Sequence, residues 1–84
     1  MNPNFHQQEL TRLFLKVFEG VPRGEHAKMR RGVQPWSSLR HIELVTLVED
    51  SFKVRLSVDD VLRADSFDLI IDVISELQNA SHNR

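Results

Sequence analysis

Two adjacent serines, Ser37 and Ser38, sit directly behind Pro35-Trp36 and ahead of an apolar run at helical spacing. A serine at position 37 is a good N-cap, because its hydroxyl can accept from an orphan amide of the first turn. Ser38 then lies at the positive end of the helix dipole, its hydroxyl near solvent, where a phosphate ester would be well placed. A competing chemistry pairs Ser38 with His41, three residues on and on the same helix face, as nucleophile and base, with oxyanion donors from the helix start. That pair has no obvious orienting group, and 84 residues leave little room for a substrate cleft. In a third reading both serines only cap a helix, and the domain is an unmodified adaptor acting through protein–protein contacts.

Other sources of chemistry are scarce. Cysteine is absent, so any thiol must come from a prosthetic group. His6, His26, His41 and His82 are scattered without paired ligand spacing, and no metal site is expected.

The elements that must position Ser38 are helical. Over residues 5–18, Leu10, Leu13, Phe14, Val17 and Phe18 make one apolar stripe, and Gly20 and Pro22 end the segment. A long connection, 20–37, follows, with Val21, Met29, Val33 and Trp36 available to pin it down and Arg23, Lys28, Arg30 and Arg31 forming a basic stretch. That stretch is either a solvated loop or a patch that meets a partner or a phosphate. Trp36 reads as a packing anchor that could also touch a group attached at Ser38. The helix over 38–52 carries apolar residues around well over half of its circumference, so some must face solvent or a partner. Residues 53–56 read as an extended link, and Ser57 as the cap of a short helical turn through Asp59, Asp60, Val61 and Leu62. Ser66 caps a last helix over 67–78, with Leu69, Ile70, Val73, Ile74 and Leu77 on its buried face. Residues 79–84 read as a polar, fraying tail to a single domain ordered over about 5–78.

The run Ser38-Leu39-Arg40-His41-Ile42-Glu43-Leu44-Val45-Thr46-Leu47-Val48-Glu49-Asp50-Ser51-Phe52 resembles the second helix of an acyl carrier protein. The resemblance implies a small all-α four-helix bundle with a long first loop and a short third helix. It puts Ser38 where that family carries 4′-phosphopantetheine, and Glu49-Asp50 and Phe52 where it has an acidic pair and a core aromatic. It further implies that Leu39, Arg40, Ile42, Glu43, Thr46, Glu49 and Asp50 form the partner-binding face, while Leu44, Val45, Val48 and Phe52 lean inward. The family usually has aspartate before the modified serine; Ser37 stands there in this chain. Arg40 and His41 interrupt the acidic helix typical of the family, which implies partners other than those of fatty-acid synthesis. The function so implied is a discrete, non-enzymatic carrier holding acyl or aminoacyl thioesters. Its partners would be a phosphopantetheinyl transferase, a loading ligase and downstream transferases or synthases of lipid, polyketide or nonribosomal-peptide type.

Charge is divided along the chain. Residues 1–40 hold seven Lys or Arg against three Glu, and residues 41–84 four against nine Asp or Glu. A nucleic-acid reading through Arg23, Lys28, Arg30, Arg31 and Arg40 meets an acidic second half and a sequence pI near 6.4. The first residues lack a signal-peptide pattern, and no apolar run is long enough to span a bilayer. The expectation is a cytoplasmic monomer with no nucleic-acid or membrane partner. The triplet Asn79-Ala80-Ser81 fits a glycosylation pattern only by chance in that setting.

Overall fold

The computed structural model describes the backbone of residues 3–22 and 24–82 and the side chains of 5–22 and 24–79. Four α-helices follow in order: α1 (Pro3–Val17), α2 (Ser38–Phe52), α3 (Val58–Arg63) and α4 (Phe67–His82), with a 3-10 turn at His26–Lys28 between α1 and α2. No strand forms among the described residues; one isolated bridge joins Arg30 to Ser66. The chain is thus mostly helical, as the periodicities require. None of the described helices is long and apolar enough to cross a membrane.

α1 forms because its apolar residues repeat at three and four, and Leu10, Leu13, Phe14 and Val17 are all buried. Phe18 belongs to the turn that ends it, yet its ring is buried against Phe14 and Trp36. Gly20, at φ 90°, takes the left-handed conformation that releases the chain from the helix. α1 packs on α2 and α4, and the core between them combines Leu10, Phe14, Leu44, Val48, Ile70 and Ile74.

The long connection is tied to the far end of the domain. The Arg31 amide donates to the Asp65 carbonyl at 3.0 Å, and its guanidinium Nε donates to Asp65 Oδ1 at 2.6 Å. Arg31 is therefore a structural clasp and not a solvated loop cation. Val21 and Met29 pack against the core as expected, but Val33 is exposed and pins nothing. Arg23 lies outside the described residues.

α3 is short and is held by its ends. Ser57 and Asp60 form a reciprocal capping box, each side chain bonding the other residue's amide at 3.1 Å. None of its residues is buried. α4 opens with Ser66 Oγ accepting from the Leu69 amide at 3.2 Å, and the helix runs through His82, past the expected end at 78. Phe67, Ile70, Val73 and Ile74 are buried; Leu69, expected inside, is exposed, and Ile71 takes its place against the core. Apolar residues stand at 69, 70 and 71 in succession, so the helix could be rotated either way by sequence alone.

Candidate functional site

Ser37 has extended backbone angles, and its side chain accepts from the Arg40 amide at 3.3 Å while its carbonyl accepts from the His41 amide at 2.9 Å. This is N-cap geometry, and it makes Ser38 the first residue of α2. The Ser38 residue is exposed, and among the described residues its hydroxyl has no hydrogen-bond partner. Ser37 thus does the capping that an aspartate could also do, and leaves its neighbour free.

The charge around this hydroxyl differs from that at the starts of α3 and α4. α3 has Asp59 and Asp60 in its first turn and α4 has Asp68, but the first turn of α2 has no acidic residue. The partial positive charge of its amides is met in this turn by the Ser37 hydroxyl and by no carboxylate. Arg40 adds a cation there, bonded to Glu43 Oε1 at 2.9 Å, with both side chains about half exposed. A phosphate ester on Ser38 would meet favourable potential and no carboxylate of the first turn.

Below the serine the site is closed. The Trp36 indole N–H donates to His41 Nδ1 at 3.0 Å, and His41 Nε2 lies 2.9 Å from the Val61 carbonyl of α3. Because Nδ1 accepts, Nε2 carries the proton and donates to Val61. Both ring nitrogens are thereby engaged, and the pairing of Ser38 with His41 as nucleophile and base is not assembled. Trp36 is fully buried, with the Phe14 ring edge-on at 5.3 Å, and offers no surface to a group outside. The resemblance makes His41 an interruption of an acidic outer face; the structure instead buries it as a link between α2, α3 and the loop.

Of the expected partner-binding residues, Leu39, Arg40, Ile42, Glu43, Thr46 and Asp50 are exposed on α2, with Leu39 at 67% and Ile42 at 62%. Glu49 differs. It is half-buried, and its carboxylate accepts from the Leu56 amide at 2.8 Å, anchoring the link that follows α2. Of the residues expected to lean inward, Leu44, Val48 and Phe52 are buried and Val45 is half-buried. Arg40, Ile42, Glu43 and Thr46 also border a groove whose other wall is the end of α1, from Lys16 to Glu19.

His6 and His26 are also buried, and His26 has a structural place that its isolated position in the sequence does not suggest. Its Nδ1 accepts from the Gly24 amide at 3.3 Å, so its Nε2 carries the proton toward Thr11 Oγ1 at 3.2 Å. The Thr11 hydroxyl in turn donates to the Gln7 carbonyl at 2.7 Å. No local pattern announces this, because its partners come from α1 and a turn. No cluster of metal-ligating side chains occurs among the described residues. No protein-family model, no curated protein and no solved structure matches this chain.

Proposed function

We propose that this chain is a discrete acyl or aminoacyl carrier whose attachment point is Ser38. The observation that carries the reading is the exposed, unpartnered Ser38 hydroxyl at the start of a helix whose first turn holds no acidic side chain. In the attachment step, Ser38 Oγ loses its proton and bonds to phosphorus of the coenzyme A pyrophosphate, and adenosine 3′,5′-bisphosphate leaves. A phosphodiester at Ser38 would stand at the positive end of α2, which would favour the product. Once attached, 4′-phosphopantetheine supplies the thiol on which cargo is held as a thioester, a group that a chain without cysteine lacks.

The chain's own residues do the rest. Ser37 fixes the helix start and so keeps Ser38 as the first residue of α2. Leu39, Ile42, Glu43, Thr46 and Asp50 present a mixed apolar and acidic face to successive partners, which would be a phosphopantetheinyl transferase, a loading ligase and downstream enzymes. Arg40 breaks the acidity of that face at the end nearest Ser38. It favours partners of a specialised lipid, polyketide or nonribosomal-peptide route over those of general fatty-acid synthesis.

The test is an intact mass after incubation with coenzyme A and a broad-specificity phosphopantetheinyl transferase, for wild type and Ser38→Ala side by side. One phosphopantetheine added to wild type and none to the variant is the expected result. No addition, even with the transferase of the same organism, would leave the two serines as a helix cap and favour the adaptor reading.

A further inference from the structure

We infer that the group carried on Ser38 stays outside the helical bundle, which fits a short or polar acyl cargo and not a long hydrocarbon chain. The inference rests on Ser38 being the attachment point. A long apolar chain tethered to a protein is driven to bury itself, so the question is whether the interior near the tether can open. Two routes lead inward from Ser38, one between α2 and α3 and one beneath the loop that precedes α2.

The first route is shut by His41, one helical turn below Ser38. Its ring is buried, and its Nε2–H is bonded to the Val61 carbonyl of α3 at 2.9 Å. The second is shut by Trp36, which has no exposed surface and is bonded to His41 through its indole nitrogen. Behind Trp36 the space is filled by rings: Phe14 at 5.3 Å, Phe18 at 5.8 Å, and Phe67 against Phe14 at 5.3 Å. A chain entering here must separate two buried hydrogen bonds and displace close-packed aromatics, leaving buried donors and acceptors unmatched. The bonds are mutually dependent, since His41 can serve both partners only in one tautomer and one orientation.

The nearest groove is no better refuge for hydrocarbon. It lies open to solvent between α2 and the residues that end α1, and its walls mix Val17, Ile42 and Leu47 with Lys16, Arg40 and Glu43. An open groove of mixed lining covers a short acyl group but leaves much of a long apolar chain in contact with water.

The experiment loads the full chain from acetyl-, hexanoyl- and dodecanoyl-coenzyme A with a promiscuous phosphopantetheinyl transferase, and each product is verified by mass. Thermal unfolding and the Trp36 indole N–H resonance are then recorded for the three forms. The expected result is one melting temperature and one indole resonance for all three. A melting temperature that climbs from acetyl to dodecanoyl, with a displaced indole resonance, would overturn the inference while leaving the carrier reading standing. Failure of any form to gain mass would overturn both. His41→Ala opens the closed seam, and its dodecanoyl form should gain stability over its acetyl form where wild type does not. Trp36→Phe gives the same comparison should His41→Ala not fold. Chain-length-independent melting in a folded variant would show that this pair is not what keeps the chain out, and would also overturn the inference.

Discussion

Glu9 on α1 and Ser51 on α2, 42 residues apart, are joined by a hydrogen bond in which the Ser51 hydroxyl donates to the Glu9 carboxylate. The same carboxylate is gripped by Arg12, whose Nε and a terminal nitrogen lie 3.1 and 2.6 Å from its two oxygens. Both contacts favour the charged form, Arg12 more than Ser51, and hold the Glu9 carboxyl at about 2, down from 4.5.

That depression makes an acid-sensitive clamp between the first two helices. Its contribution is fully present above the unfolded value of 4.5 and disappears as pH falls through about 2. Arg12 is well exposed, so solvent screens the pair and the contribution at neutral pH is a small one. In urea unfolding at a series of pH values, Glu9→Gln should fall slightly below wild type at pH 7 and converge with it at low pH. A gap between the two that does not change with pH would remove the clamp from the account.

The Trp36–His41–Val61 chain should behave as one cooperative unit. His41→Ala leaves a buried indole N–H without an acceptor and empties the space of the ring. The expected loss is about 3 kcal/mol, or roughly 15 °C in melting temperature for a domain of this size. Combined with Trp36→Phe, the double variant should lose less than the sum of the single ones, because each change already forfeits the shared bond. Strict additivity in chemical denaturation would show that the bond carries no coupling.

The capping box of α3 predicts a local effect. Since no residue of α3 is buried, its stability depends on its ends more than on packing. Ser57→Ala should cost about 1 kcal/mol. The loss should appear as faster hydrogen exchange at the Val61 and Ala64 amides, which bond to Ser57 and Asp60 carbonyls at 3.0 and 3.1 Å. The amides at the centre of α2 should keep their protection. Equal acceleration at both places would mean that α3 unfolds only with the whole domain.

What could be read from the chain divides by distance along it. The caps at Ser37, Ser57 and Ser66 bond amides three residues on, and they were legible because such contacts are local. The same holds for the α1 stripe, where one face is plainly apolar. The sequence leaves Arg31 as either a solvated loop cation or part of a basic patch, because Asp65 is 34 residues away and nothing nearby marks the two as a pair. His41 looked like surface chemistry because its acceptor, the Val61 carbonyl, is 20 residues distant and belongs to backbone, which leaves no trace in residue type. Of the serine site, the helix start was legible; the closed seam beneath it was not, since it exists only where three elements meet.

Charge reversal on the outer face of α2 separates recognition from folding. Asp50 is exposed, and among the described residues Glu43 is bonded only to Arg40 across the helix surface, where such pairs contribute little. Asp50→Lys and Glu43→Lys should therefore leave the unfolding midpoint nearly unchanged while slowing transfer of the phosphopantetheine arm and of cargo to and from partner enzymes. Glu49→Lys should act differently, because the Glu49 carboxylate holds the Leu56 amide, and losing it frees the link between α2 and α3. A cost of about 1 to 3 kcal/mol follows from losing a charge-assisted bond. A variant that slows transfer at position 49 must accordingly be judged against its own stability, whereas slowing at 43 or 50 reports on the partner directly. If transfer proved indifferent to Glu43 and Asp50 together, the partners would have to dock elsewhere, and the exposed Val58 and Leu62 of α3 would be the next face to alter.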